Sequence, residues 1–314
     1  MRFISVQPRL FYYAWQVEVM INNFLHNGVD PEKIDVLIGV NSLDDTCNPG
    51  NIQTWEKLIK GYPKVNFYIY QDTRQQPIRY ISSIRPNILK QHFAAFPELN
   101  QETFFYHDCD IALTRPVEFT DLEEGTTWYG SDTVSYIGHD YILSKGQDIL
   151  DKMCEIVGIS SELVKQNQLN SIGAQYILKN LDANFWQKVE QDAEVLFYQI
   201  NQLSSQKKSL DPSYHELQIW CADMWALLWN GWLRGHQTRV TKKLDFCWPM
   251  EGEVRWREAP LFHNAGIGEY GKYFYKAGYM SRLPYDDKLD LDPLSCSARY
   301  FDEIKKVKSC LYAS

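Results

Sequence analysis

The first 110 residues alternate short apolar runs with stretches of helical spacing. Arg2 to Gln7 reads as a strand, and a helical stretch follows around Trp15 to Leu25. Asp35 to Val40 (DVLIGV) is nearly continuously apolar, as expected of a strand buried on both faces of a sheet. Ile52 to Lys60 has the pattern of a helix that Gly61-Tyr62-Pro63 stops, and Val65 to Tyr70 predicts a third strand. Ile84 to Phe96 predicts a helix with Pro86 near its first turn, where proline is tolerated, and Phe104 to Cys109 a fourth strand. Strands alternating with helices predict an α/β fold built on a Rossmann-type, mostly parallel sheet flanked by crossover helices.

After Pro116 the pattern changes. Thr127 to Tyr129 and Val134 to Leu143 read as strand-like or irregular. Helices are predicted at Gly146 to Val157, Gly173 to Leu181 and Phe185 to Asn201, then a polar loop over Gln202 to Ser213. Leu217 to Leu233 reads as a Trp-rich, largely apolar helix, and Ala298 to Leu311 as a terminal one. No internal repeat and no stretch rich in Pro, Gly and Ser divides the chain. The expectation is a single domain over residues 1–314, with one lobe at 1–116 and a second at 117–314.

The fourth strand carries the strongest chemical signal. Phe104-Phe105-Tyr106-His107-Asp108-Cys109-Asp110 drives an aromatic run into two aspartates one residue apart. Side chains at i and i+2 of a strand point the same way, so two carboxylates are expected at one spot. Uncompensated, they would repel each other and resist desolvation. A hard divalent cation removes both costs, and an oxygen pair suits Mg²⁺ or Mn²⁺. The strand order puts the pair at a carboxyl end of the sheet, where ligands bind in such folds.

The bulk numbers narrow the class of partner. A net charge of −8 over 314 residues argues against nucleic acid and against anionic membrane surfaces. The 10 Trp, 20 Tyr and 15 Phe supply flat amphipathic rings that suit sugars as well as cores. Seven cysteines without a C-x-x-C spacing suggest neither a disulfide scaffold nor structural zinc. The N-terminus lacks signal-peptide features, and no apolar run reaches the ~18 residues of a membrane span. A cytoplasmic protein is expected.

Asp-Cys-Asp after three earlier strands resembles the DxD motif of nucleotide-sugar glycosyltransferases of the GT-A fold. The resemblance implies that Asp110 ligates a metal on the diphosphate of a sugar donor. It gives Asp108 the ribose or a metal-bound water, and makes the two lobes donor and acceptor lobes. It also implies a third metal ligand from a C-terminal histidine near a glycine, which is His263 in Phe262-His263-Asn264-Ala265-Gly266. Gly266, in a glycine-containing run, lets backbone amides approach phosphates, and Lys272 adds charge to the diphosphate. Gly173, at an apparent helix start capped by Ser171, matches a segment that lines the donor sugar. Arg85 matches a basic donor contact at a helix N-terminus. Asn41, ending the second strand, is placed to meet base or ribose or to make a turn, and Asp132 to meet the donor sugar or to serve a loop.

Asp223 lies among apolar residues in Leu217-Gln218-Ile219-Trp220-Cys221-Ala222-Asp223-Met224-Trp225, where an idle carboxylate is costly. Glu216, Trp220 and Asp223 follow i, i+4, i+7 spacing, which on a helix puts them on one face. An indole beside a carboxylate suits an acceptor sugar, with Asp223 or Glu216 taking the proton of the attacking hydroxyl. The alternative for Asp223 is a buried carboxylate that caps a neighbouring loop or pairs with an arginine.

Taken together, S-I-G at 171–173, W-x-x-D-M-W at 220–225 and F-H-N-A-G at 262–266 resemble the plant hydroxyproline O-arabinosyltransferase and peptidyl-serine galactosyltransferase group. The chain departs from that group with Asp223 in place of its Glu, and with no membrane anchor. The implied activity is metal-dependent transfer of a sugar from a nucleoside diphosphate, UDP in most of the group, to a hydroxyl of a glycan or glycoconjugate. An inverting route uses Asp223 or Glu216 as base, whereas a retaining route needs none. Two other readings stand beside it: a non-catalytic sugar-binding module, and a D-x-D phosphohydrolase, which would carry its motif after the first strand.

Overall fold

The computed structural model describes residues 1–75 and 80–312. The described strands in chain order are β1 (Arg2–Pro8), β2 (Ile34–Val40), β3 (Asn66–Gln71), β4 (Thr103–Tyr106), β5 (Ile111–Leu113), β6 (Trp128–Asp132), β7 (Ile172–Lys179), β8 (Thr238–Val240), β9 (Phe246–Cys247) and β10 (Leu261–His263). The fold is mixed α/β, with a seven-stranded, mostly parallel sheet in the order β3-β2-β1-β4-β7-β6-β8 and a three-stranded sheet in the order β5-β10-β9. Two compact units divide the chain, each assembled from separate stretches of sequence.

The first unit holds Met1–Gln71, Tyr106–Asp121 and Lys242–Ser314. Here β1, β2 and β3 pair in parallel, and β2 is buried along nearly its whole length, which explains its unbroken apolar run. Helices Phe11–His26 and Pro49–Gly61 make the crossovers, the second capped by Asn48 with Pro49 at its first position. Asn23, buried on the first of these helices, clasps the end of β5. Its Oδ1 accepts from Leu113 N at 2.7 Å, and its Nδ2 donates to Leu113 O at 3.0 Å.

Glu18, on the same helix, is fully buried. It accepts hydrogen bonds from Tyr285 Oη, from Ser309 Oγ at 2.6 Å and from Cys310 N at 2.7 Å. One carboxylate thus anchors the C-terminal segment at three points. Glu18→Ala strands those donors in an apolar setting, so unfolding free energy should fall by about 3–5 kcal/mol. Urea denaturation of the variant checks this, and a loss below about 1 kcal/mol would show the carboxylate to be dispensable.

The second unit holds Asp72–Phe105 and Leu122–Thr241. In it β6 runs antiparallel to β7 and parallel to β8. Helix Ala183–Leu210 packs against helices Ile84–Ala95 and Ala222–Leu233. Trp128, Phe185 and Trp186 fill the space beneath it, and the ring of His236 stacks on Trp128 at 4.3 Å.

Four predicted elements are corrected in this unit. Residues 173–181 do not form a helix, because Ile172–Lys179 is β7, buried on both faces. A short apolar run of this kind fits either structure by periodicity alone. A bulge interrupts its pairing with β6 between Gly130 and Ser131, and Ala174 there takes a φ of +60°. Val134 to Leu143 forms two short helices, Val134–Ile137 and His139–Leu143, rather than strand-like backbone. The stretch expected as a polar loop after Asn201 continues as helix to Leu210. It contains no glycine or proline before Pro212, and its Gln and Lys residues are good helix formers on a solvated face. The Trp-rich α-helix begins at Ala222, preceded by a 3₁₀ turn at Ile219–Cys221, rather than at Leu217.

Candidate metal centre and a buried carboxylate cluster

The metal candidate lies within the first unit and begins where β4 ends. His107 N donates to Ile4 O at 3.1 Å, which prolongs the ladder past Tyr106. The His107 ring packs edge-on against Phe24, and burial pushes its pKa down to about 4. Its Nδ1 lies 2.9 Å from Asp108 O, a partner for a protonated nitrogen of the neutral ring. The chain then leaves the strand and turns through Cys109 and Asp110 into β5. The two aspartates therefore meet through a turn joining two sheets, not through the i, i+2 geometry of one strand.

The three-stranded sheet supplies the third member. Antiparallel pairing of β5 with β10 sets His263 opposite Ile111, and Asn264 N continues the ladder to Asp110 O at 2.9 Å. Register alone thus brings His263 beside Asp110. The imidazole is held between Trp248, stacked at 5.9 Å, and the edge of Phe246 at 5.7 Å. Its Nε2 lies 3.4 Å from Asp110 Oδ1 and 3.6 Å from Asp108 Oδ2.

One ligand atom from each of Asp108, Asp110 and His263 lies within 4.8 Å of the others. Bonds of about 2.0–2.2 Å to a shared ion require separations of this size. Two carboxylate oxygens and one imidazole nitrogen make a mixed oxygen and nitrogen donor set of the kind that divalent cations take. Asn264, buried beside His263, has an Nδ2 without a hydrogen-bond partner, a polar group of the kind that a bound molecule would satisfy.

A residue outside the predicted set completes the electrostatics. Lys276 Nζ forms an ion pair with Asp110 Oδ2. Burial by itself would raise the Asp110 carboxyl, but Lys276 and then His263 outweigh it and hold the group well below the usual carboxylate range. Burial likewise opposes the charge on Lys276, and Asp110 foremost more than offsets it, so the ammonium is held more firmly than in water. Tyr12, near both charges, is pushed up to about 12 by burial. The position of Lys276 follows from Phe274, which is fully buried and donates its N–H to Ser297 Oγ at 2.6 Å. Lys272 has an exposed side chain, and its carbonyl accepts from Asp292 N at 2.9 Å. Gly266, exposed, takes a φ of +83°, a conformation that favours glycine.

In the second unit, Asp223 is buried in the first turn of helix Ala222–Leu233. Its Oδ2 meets Arg85 Nη2 at 2.7 Å, and its Oδ1 lies 2.6 Å from the hydroxyl of Tyr80. The same hydroxyl accepts from Asp223 N at 3.1 Å and lies 2.7 Å from Trp220 O. Burial, reinforced by the Asp223 charge, keeps the Tyr80 phenol protonated well beyond its usual range. Phe197 stacks on the Tyr80 ring at 4.5 Å. Beneath Tyr80, the buried Arg74 guanidinium binds the carbonyls of Tyr80 and Ile81, Ser83 Oγ and the carboxylate of Asp72.

Two candidates, Arg85 and Asp223, are thus brought together as an ion pair. Glu216 is not with them. It is exposed and precedes the 3₁₀ turn, so the i, i+4, i+7 face does not exist. Trp220 is 56% exposed, whereas Asp223 is 7% exposed. Gly173 lies inside β7 opposite Ser131 rather than at a helix start. A Cβ there would come within 2.4 Å of Met224 Cε and 2.6 Å of Thr133 Oγ1, so glycine permits a close packing contact. Asn41 and Asp132 both serve local turns, with Oδ1 of Asn41 accepting from Leu43 N at 2.9 Å and Oδ1 of Asp132 from Val134 N at 3.0 Å. Tyr80 and Lys276 were not singled out by sequence. Tyr80 precedes one 3₁₀ turn and Lys276 opens another, and neither position gives a local sign of the charge it meets.

No protein-family model matches the chain, and no curated protein matches it. Among solved structures it is similar to the bifunctional glycosyltransferase WbbM in its apo form, at 9% identity and a TM-score of 0.54, over 98% of this chain and 50% of that one. The chain spans about half the length of the WbbM chain it matches. It is also similar to mouse xyloside xylosyltransferase 1 in its apo form, at 9% identity and a TM-score of 0.43, over 84% of this chain and 96% of that one. At 9% identity, what this protein shares with WbbM is the fold of a glycosyltransferase structure.

Proposed function

We propose that this protein is a metal-dependent glycosyltransferase that moves a sugar from a nucleoside diphosphate sugar, a UDP-sugar by resemblance, to a hydroxyl of a glycan or glycoconjugate. The observation that carries the reading is the meeting of Asp108, Asp110 and His263 beyond the carboxyl end of β4. A divalent ion held there supplies charge stabilisation to a departing diphosphate. Asp110, nearly buried and ionised, is the principal anionic ligand; Asp108, half-buried, is the more accessible carboxylate. His263, its ring fixed by Trp248 and Phe246, directs Nε2 at both aspartates.

Asp223 is the proposed base of an inverting transfer. Tyr80 and Arg85 each engage one of its oxygens and so fix the orientation of the carboxylate. Arg85 acts here by orienting Asp223. The exposed indole of Trp220 offers a flat face to an acceptor sugar ring. Among the described residues, no helix is long and apolar enough to cross a membrane.

The test is a thermal-shift panel of UDP-, GDP- and CDP-sugars, each with and without Mn²⁺. A donor at a hundred times its Kd should stabilise the protein by about 2.7 kcal/mol, and only when metal is present. No stabilisation by any nucleotide sugar would overturn the donor assignment. Equal stabilisation without metal would overturn the metal dependence.

A further inference from the structure

Lys276 has no part in the reading above, yet its ammonium is paired with the carboxylate best placed to bind a divalent cation. Asp110 offers Oδ1 toward His263 while Oδ2 is taken by Lys276. The local formal charge is therefore that of two carboxylates less one ammonium. A divalent ion bound by Asp110 and His263 would sit a few ångströms from a fixed like charge in a nearly buried setting, where repulsion is poorly screened. A diphosphate arriving with the metal reverses that balance, because its negative oxygens attract both cations.

We propose that Lys276 is an internal counter-ion that couples metal binding to diphosphate binding. It keeps the site from holding a bare divalent ion tightly and releases that penalty when a nucleoside diphosphate is present. This rests on the glycosyltransferase reading and adds to it a mutually dependent loading of metal and donor that Lys276 sets. By linkage, the factor by which UDP tightens Mn²⁺ equals the factor by which Mn²⁺ tightens UDP.

The experiment measures Mn²⁺ binding directly, by the loss of the free-ion paramagnetic resonance signal, with and without saturating UDP. It compares wild type with Lys276→Met and Lys276→Arg. UDP should tighten Mn²⁺ in the wild type by a factor in the range of about 5–150. In Lys276→Met the affinity for bare Mn²⁺ should rise about tenfold and the UDP effect should shrink by a similar factor. Lys276→Arg, which keeps the charge, should behave as wild type. If Lys276→Met does not fold, Lys276→Gln replaces it under the same criteria. Mn²⁺ and UDP binding with the same coupling in the uncharged variant would overturn the counter-ion role alone. Absence of Mn²⁺ binding by the wild type in both conditions would overturn the metal assignment and this inference with it.

Discussion

Asp110→Asn should abolish Mn²⁺-dependent stabilisation by nucleoside diphosphates and lower sugar transfer by about 10²–10³, the usual cost of deleting one charged stabiliser in a preorganised site. The amide keeps the shape but loses the charge and one of two acceptor oxygens. A second effect must be separated from the first. Lys276 draws its strengthened charge from Asp110 foremost. Removing one partner of a largely buried ion pair costs about 3–5 kcal/mol, so the single variant should also melt earlier. The double variant Asp110→Asn with Lys276→Met removes both charges and should recover much of that stability without recovering metal binding. Calorimetric titration with Mn²⁺ and UDP, alongside thermal melts of all three proteins, checks both parts. Wild-type metal affinity in Asp110→Asn would dismiss Asp110 as a ligand.

Asp223→Asn should lower turnover by about 10²–10⁴, the contribution expected of a general base, while the affinity for UDP in the presence of Mn²⁺ stays near wild type. The amide oxygen can still accept from Arg85 or Tyr80, but the ion pair with Arg85 is lost, so this variant should also melt somewhat earlier. Asp223→Ala deprives Arg85 of this partner in a buried setting and should cost stability as well. The comparison distinguishes chemistry from scaffolding. A variant with normal turnover but a lowered melting temperature would assign Asp223 to structure alone, as the buried Asp–Arg alternative holds. A fall in turnover in Asp223→Asn measured well below its melting temperature, with UDP affinity kept, assigns it to the reaction.

Legibility in the sequence followed the range of the interactions. Elements whose pattern is complete in itself read well: β2 is an unbroken apolar run, and Gly61-Tyr62-Pro63 marks the end of a helix whose first turn, from Pro49, the apolar pattern misses. Elements set by their surroundings read poorly. Ile172–Lys179 is a strand because neighbours cover both faces, and its apolar content suits a helix equally well. The polarity of Gln202 to Leu210 suggests a loop, yet a helix with one solvated face is polar there by necessity.

The candidate site divides in the same way. Two carboxylates near the end of the fourth strand are legible from the chain alone, because Asp108 and Asp110 are near neighbours after an apolar run. Asp223 stands out as a carboxylate among apolar residues, and His263 enters through the resemblance to GT-A enzymes, which implies a histidine ligand near a C-terminal glycine. How these residues are held depends on partners distant in the chain. The β5–β10 register sets His263 against Asp110, Tyr80 and Arg85 grip Asp223, and Lys276 neutralises one oxygen of Asp110. The physical reason is that strand pairing and ion pairing join residues far apart in the chain, and nothing in the residues flanking Lys276 encodes the carboxylate it meets.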